Sequence, residues 1–191
     1  MKRISLALGI LALAAPLAVA QSSTWAMDPA HSSVGFSIRH LGLSNVHGQF
    51  GNVKGTIAFN SADVSKSTVN VTIDVTTVDT RDSARDTHLK TDAFFDIAKF
   101  PAATFTSTSV SGSSSHLTVS GNLTLHGVTK PVVLDVTASP VIESPMDHKP
   151  HVGYEATTTI KRLDFGIGTS FPTAALGDDV PLTIDLEAVK Q

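Results

Sequence analysis

The chain has 191 residues, a formal net charge of −3 at pH 7 and no cysteine. The absence of cysteine excludes disulfide bonds, thiolate metal sites and cysteine nucleophiles. With 14 basic and 17 acidic residues, the chain lacks the clustered positive charge on which nucleic-acid binding depends. Its stability must therefore come from the burial of apolar surface.

The first twenty residues have the pattern of a secretory signal peptide. Lys2 and Arg3 precede an apolar run that ends near Leu17, and residues 18–20 provide the small side chains of a cleavage site. Pro16 interrupts this run, which at about 14 residues is shorter than the ~20 that span a bilayer. We therefore predict a signal peptide over residues 1–20, export of the chain, and one mature domain over residues 21–191.

Most of the mature chain alternates apolar and polar residues with a period of two, which is typical of half-buried antiparallel strands. Turn-forming residues such as Gly51-Asn52 and Ser111-Gly112 separate these stretches. About eight strands follow, enough to close a barrel whose interior holds one small ligand. The sequence thus predicts an all-β, antiparallel barrel. The alternating segments are residues 34–38, 53–59, 67–77, 117–126, 132–136, 152–160 and 182–188.

The predicted outer face of this barrel is rich in Thr, Ser and Asp. A membrane-embedded barrel needs an apolar exterior and girdles of aromatic residues at both interfaces. The chain contains only one Trp and one Tyr, so we predict a protein that does not span a membrane.

Two irregular stretches interrupt the alternation. Residues 79–99 are dense in charge; Asp82 or Ser83 is suited to cap one short helix, and Asp92 another before Phe94. Residues 166–179 form the second stretch. We predict short helical excursions near residues 82–95 and 170–177, in the position of a lid or plug. A longer loop with three prolines covers residues 140–150.

Six segments of the mature chain carry a family resemblance. They are residues 25–40 (WAMDPAHSSVGFSIRH), 46–55 (VHGQFGNVKG), 85–96 (RDTHLKTDAFFD), 100–105 (FPAATF), 121–133 (GNLTLHGVTKPVV) and 161–166 (KRLDFG). Together and in this order they resemble the YceI-like family of bacterial periplasmic polyisoprenoid-binding proteins. The resemblance implies a lipocalin-like barrel, a long-chain polyisoprenoid, isoprenoid quinone or similar amphipathic lipid in its interior, a periplasmic location and a homodimer. It implies nothing for residues 143–151.

A barrel that holds a lipid needs more apolar and aromatic surface on its inner face than close packing requires. The chain has 9 Phe, several of them at alternating strand positions. The opposite interpretation is that the same side chains fill a dry, close-packed core, and the resemblance makes us favour the cavity. The predicted lining residues are Phe36, Ile38, Phe50, Ile57, Val71, Ile73, Phe94, Phe95, Phe105, Leu123, Leu125 and Ile160.

Charged residues of the irregular stretches are candidates for contact with a lipid head group. Arg81 and Arg162 suit a phosphate or a quinone carbonyl because a guanidinium donates two parallel hydrogen bonds. The alternative is that each arginine pairs with a neighbouring carboxylate of the protein. The predicted polar ligand-binding residues are Arg81, His88 and Arg162, with Asp82, Arg85 and Asp164 as further candidates nearby.

We predict no metal or cofactor. The only local histidine cluster, Asp147-His148 with His151, lacks the three or four converging ligands and the second shell that zinc usually requires.

We also predict a binding protein without chemistry of its own. His31 and Ser32 adjoin on a predicted strand and face opposite sides, unlike a hydrolase pair, and no G-x-S-x-G motif occurs. The alternative is an isomerase or hydrolase acting on such a lipid, in which His31 or His88 pairs with Asp82 or Asp164.

Overall fold

The computed structural model describes residues 22–191, so the predicted signal peptide lies outside the described residues. The strands are β1 (Ser22–Met27), β2 (Ser33–His40), β3 (Ser44–Phe50), β4 (Lys54–Asn60), β5 (Thr68–Asp74), β6 (Ala102–Gly112), β7 (His116–Leu125), β8 (Val128–Ala138), β9 (Ile142–Glu143), β10 (Pro150–Lys161) and β11 (Asp179–Lys190). One α-helix, α1, covers Ser83–Leu89, and short 3-10 turns cover Val64–Lys66, Val75–Thr77 and Arg162–Phe165.

Eight antiparallel strands form a closed ring in the order β11, β1, β4, β5, β6, β7, β8, β10 and back to β11. The β10–β11 ladder closes it, running from His151 opposite Val189 to Lys161 opposite Asp179. The predicted all-β antiparallel barrel is thus confirmed. Within the eight-strand ring, closure leaves no open edge through which strands of other chains could pair; β3 and β9 are the terminal strands of the described sheet.

Strand β11 also pairs with a two-strand branch of the same sheet, formed by β2 and β3. Its last residues pair with β1, whereas Leu182 to Asp185 pair with β2. Strand β2 then pairs with β3 in a hairpin, and Gln49 of β3 bridges to Asp79. Residues of this hairpin and of α1 line the same cavity.

The alternation predicted from the sequence sets which side chains point inward. Along β7, Leu117, Val119, Leu123 and Leu125 are buried while Thr118 and Asn122 are exposed. Cross-strand neighbours continue the apolar face, as where Phe105 of β6 lies opposite Leu123. Pairing of apolar side chains on one face is what stabilises such a sheet.

The helical prediction is confirmed in part. Asp82 caps α1, accepting hydrogen bonds from the backbone N–H groups of Ala84 and Arg85 at 3.1 and 3.0 Å. Asp92 caps no helix: residues 90–99 form turns, in which the Thr91 carbonyl accepts from Phe94 and Asp96. The expected helix near residues 170–177 is also wrong. Residues 172–176 form a single turn, in which the Pro172 carbonyl accepts from the N–H groups of Ala175 and Leu176, and the Phe171 carbonyl accepts from the side chain of Arg162 instead of continuing a helix.

Candidate functional site

The barrel interior contains two cavities, of about 520 and 100 Å³. They meet at a waist, which we define as Val34, Ile73, Leu123 and Leu182, because these four side chains line both. The larger cavity is covered by α1 and by the turns of residues 90–97 and 166–177. It reaches the exposed residues His40 and His88, which mark its mouth.

All twelve apolar residues predicted to line a cavity do so. The larger cavity takes nine of them and the smaller one five, with Ile73 and Leu123 shared at the waist. The interior therefore holds open space lined by these side chains, rather than the fully packed core of the opposite interpretation. The larger cavity is lined by Phe36, Ile38, Phe50, Ile73, Phe94, Phe95, Leu123, Leu125 and Ile160, and the smaller one by Ile57, Val71, Ile73, Phe105 and Leu123.

Aromatic rings form two groups around the larger cavity. Phe50 lies 5.4 Å from both Phe36 and Phe95, measured between ring centroids. At the mouth, Phe94 stacks on Phe171 at 5.2 Å, and the ring of His88 meets Phe94 edge-on at 5.0 Å. Such offset and edge-to-face contacts fix the rings in place while leaving their outer surfaces available to an apolar ligand.

Arg162 lies against the larger cavity but is not free to bind a head group. It is 2% exposed, and burial lowers the pKa of its guanidinium. Its five N–H groups donate to backbone carbonyls at 2.6–3.0 Å. An arginine has no further donor, so the predicted head-group contact is corrected: Arg162 holds the turns of residues 167–177 in place. The accepting carbonyls belong to Ile167, Gly168, Phe171, Leu176 and Gly177.

Arg81 is a second correction, because it lines neither cavity. Its side chain is exposed, and its backbone has a positive φ of 64° with the N–H bonded to Asp79. The chain therefore turns at Arg81 and directs Thr80 and Arg85, rather than Arg81, to the cavity wall.

Arg85 is the cavity-lining cation that keeps free donors. Its Nε donates to the Thr80 hydroxyl at 2.7 Å and its Nη2 to the Thr80 carbonyl at 2.8 Å. The Thr80 hydroxyl in turn donates to Asp86 at 2.6 Å. Within residues 22–191, the Nη1 group of Arg85 makes no hydrogen bond. A half-buried guanidinium is thus positioned by its neighbours with donors still available.

The pairs of His31 or His88 with Asp82 or Asp164, which the enzyme alternative requires, do not form among the described residues. His88 contacts the rings of Phe94 and Phe171, and no hydrogen bond joins it to Asp82 or Asp164. His31 bonds to Asp28 at 2.8 Å and lines neither cavity. The histidines named by the enzyme alternative therefore have no carboxylate partner inside the barrel.

Sequence reasoning missed several cavity residues. Leu182 at the waist lies on β11, whose alternation was visible, and the same signal would have identified it. Thr80 and Phe171 lie on irregular segments without periodicity, so nothing in the sequence marked them. Tyr154 of β10 lines the smaller cavity, where burial raises the pKa of its phenol.

Between residues 22 and 191, no helix is long and apolar enough to cross a membrane. The YceI-like domain model matches residues 25–188. Protein YceI of Salmonella arizonae is 44% identical over 161 residues, 84% of this chain and 83% of that protein.

Solved structures also include a YceI protein with a similar fold. The YceI protein of Campylobacter jejuni is 36% identical with a TM-score of 0.72, covering 80% of this chain and 90% of that one. At lower identity the likeness concerns the fold alone. BcnA of Burkholderia cenocepacia is 23% identical (TM-score 0.75, covering 84% and 98%). A polyisoprenoid binding domain from Saccharophagus degradans is 18% identical (TM-score 0.65, covering 90% and 100%). The match over nearly the whole described chain assigns this protein to the YceI-like family.

Proposed function

We propose that the protein binds a long-chain polyisoprenoid, isoprenoid quinone or similar amphipathic lipid, with the tail inside the barrel and the head group at the mouth. The observation that carries this proposal is the pair of adjacent apolar cavities that share the four residues of the waist. The larger one, about 520 Å³, falls within the range of pockets that enclose small molecules. Support also comes from the Saccharophagus degradans domain of similar fold, described as polyisoprenoid binding.

The tail supplies most of the binding free energy in this proposal. Each buried methylene contributes about 0.8 kcal/mol, so twenty tail carbons contribute a nominal ~16 kcal/mol before the costs of association. One hydrogen bond to a charged head group adds about 1.5–3 kcal/mol. Selectivity for the head group is therefore modest, and a foreign host loads the barrel with lipids of its own.

Arg85 is the residue we assign to the head group, in place of Arg81 and Arg162. It lines the larger cavity, and its Nη1 group is available to a phosphate or a carbonyl oxygen. His88 lies on the same rim.

The cellular role in this proposal is that of a periplasmic carrier without chemistry of its own. Cell fractionation tests the location: the processed chain is expected in the osmotic-shock fluid, and a chain lacking residues 2–20 is expected in the cytoplasm. Recovery of both forms from the same compartment would contradict it.

The homodimer is also part of the proposal and derives from the family resemblance. The tip of the β2–β3 hairpin offers apolar surface for such a contact, since Leu41 and Leu43 are 54% and 80% exposed. Sedimentation equilibrium of the parent and of Leu43→Asp tests it. A parent that stays monomeric at every concentration would contradict the dimer.

The first experiment is mass spectrometry of an organic extract of the purified, folded protein. We expect one long-chain isoprenoid or quinone per barrel. An empty extract, together with no uptake of added polyprenyl lipid, would refute the proposal.

Paired substitutions then separate tail from head. Phe36→Glu places a charge in the larger cavity and should abolish lipid retention, whereas Arg85→Ala should weaken it about 10-fold to 100-fold, the equivalent of 1.5–3 kcal/mol. Val133→Glu is the matched control, because Val133 is 55% exposed on β8. If Arg85→Ala reduces lipid retention more than Phe36→Glu does, the head group contributes more binding free energy than the tail, and the proposal that tail burial contributes most is wrong.

A further inference from the structure

Away from both cavities, five ionisable side chains meet where the β1–β2 turn approaches β10 and β11. The side-chain ligand atoms of Asp28, His31 and Glu187 all lie within 4.8 Å of one another. His151 adjoins them through a contact of 2.6 Å between its Nδ1 and Glu187 Oε1. Asp147 completes the group from the loop before β10, 3.1 Å from the other ring nitrogen of His151.

The backbone holds the first three residues in this arrangement. The Asp28 N–H donates to the Glu187 carbonyl at 2.8 Å, which ties the turn to β11. The Ala30 N–H donates to Asp28 Oδ1 at 2.9 Å, leaving Oδ2 for His31, 2.8 Å away. Buried Ser32 accepts from the Glu187 N–H at 3.2 Å. The backbone of Asp28 and Glu187 is thus fixed by hydrogen bonds, and the exposed side chain of His31 is held beside them by Asp28.

His151 and Asp147 form an outer layer around Glu187. The side chain of His151 is 14% exposed, and it bridges Glu187 and Asp147 with its two ring nitrogens. Glu187 is thus held by His151, and His151 is held by Asp147. Hydrogen-bonded partners of this kind orient the ligands of metal sites.

The charges of the group favour a cation. Throughout the described part of the chain, Asp28, Asp147 and Glu187 form ion pairs with histidines only. Three carboxylates that have no Lys or Arg partner among the described residues attract a divalent cation.

We propose that Asp28, His31 and Glu187 bind one divalent transition-metal ion of the zinc type, with His151 as a positioning residue for Glu187. One imidazole nitrogen and two carboxylate oxygens are ligands that Zn²⁺ accepts, and three protein ligands leave a fourth position for water. The ion would join the β1–β2 turn to β11 and, through His151, to β10.

This site differs from the local histidine cluster visible in the sequence. His148 of that cluster is exposed and faces Glu143 at 3.8 Å, whereas His151 turns toward Glu187. None of the three proposed ligands lines a cavity, so the site is independent of lipid binding.

The test is a titration of the chelator-treated, dialysed protein with ZnCl₂ by isothermal calorimetry, with bound zinc measured after gel filtration. We expect one equivalent of zinc. His31→Ala and Glu187→Gln should weaken binding at least 100-fold, and His151→Gln about 10-fold to 100-fold. His116→Ala, which changes an exposed histidine at the start of β7, should bind like the parent. Absence of saturable binding up to about 1 mM, or unchanged binding by His31→Ala, would overturn the proposal.

A second measurement needs no variant. In two-dimensional NMR spectra of the parent protein, zinc should shift the resonances of residues 28–32, 151 and 187 and raise the melting temperature. Shifts confined to other histidines, such as His116 or His148, would show zinc on adventitious surface sites and refute the assignment.

Discussion

Arg162 offers the sharpest test of how the cavity wall is built. Its guanidinium donates five hydrogen bonds to carbonyls of the turns that cover the larger cavity. A hydrogen bond to a charged group contributes about 1.5–3 kcal/mol, which gives a nominal sum of about 8–15 kcal/mol. Because the bonds share one group and the charge is costly to bury, we expect Arg162→Gln to lower the free energy of unfolding by about 3–5 kcal/mol.

Arg162→Lys separates geometry from charge. An ammonium has three donors and no planar fork, so at least two of the five carbonyls lose their partner. Each buried acceptor left without one costs about 1–3 kcal/mol. We expect this conservative change to cost at least about 2 kcal/mol, a large share of the 5–15 kcal/mol typical of a folded domain.

Urea unfolding followed by fluorescence measures both effects. Trp25 is the single tryptophan and is 5% exposed on β1, so its emission reports unfolding of the barrel. A shift of the midpoint at constant slope identifies a change in stability. Lys161→Gln is the control, because Lys161 is an exposed neighbour whose ion pair with Asp179 lies at the surface. An Arg162→Lys protein within about 1 kcal/mol of the parent would refute the reasoning.

Two further substitutions test the packing and the electrostatics of the fold. Gly48→Ala places a Cβ 2.3 Å from the ring of Phe36. We expect the free energy of unfolding, measured with urea, to fall by about 1–3 kcal/mol, and less lipid to be bound. Gly51→Ala is the control, because a Cβ at that position meets nothing within 4 Å. Asp74 accepts hydrogen bonds from Thr76 and Asn52, which lower its pKa below 3.8. Its contribution to stability is thus present above pH 3.8 and is lost as the pH falls through the lower folded pKa. Asp74→Asn should flatten the acid limb of the stability curve measured from pH 2 to 6, and an unchanged limb would contradict the assignment.

The period of two in the sequence predicted the barrel because closure requires each strand to have one apolar face. The prediction failed where a strand ends or shifts register. The sequence alternates through residues 67–77, but β5 ends at Asp74. The strand ends there because the Asp74 carboxylate accepts from the Thr76 N–H at 3.0 Å and the backbone enters a 3-10 turn. Strand β6 escaped notice because a bulge between Ser107 and Ser109 breaks its period.

The apolar part of the site was predictable and the polar part was not. Inward direction follows from strand periodicity, so Phe36, Val71 and Leu123 could be assigned to the interior from sequence alone. The role of an arginine depends on which acceptors the fold brings to it. Five carbonyls within eleven residues of irregular chain converge on Arg162, and a positive φ turns Arg81 outward. Neither arrangement produces a periodic pattern in the sequence.

These assignments determine what the barrel can distinguish among lipids. Arg162 is saturated by the backbone and His88 packs against phenylalanine rings, so Arg85 is left as the charged contact of the cavity wall. One such contact contributes about 1.5–3 kcal/mol, which the burial of about two to four tail methylenes at about 0.8 kcal/mol each equals. The waist divides the interior into about 520 and 100 Å³, and a longer tail gains affinity only by passing Val34, Ile73 and Leu123. Under the proposed function, we therefore expect tail length and shape to determine affinity more strongly than head-group chemistry.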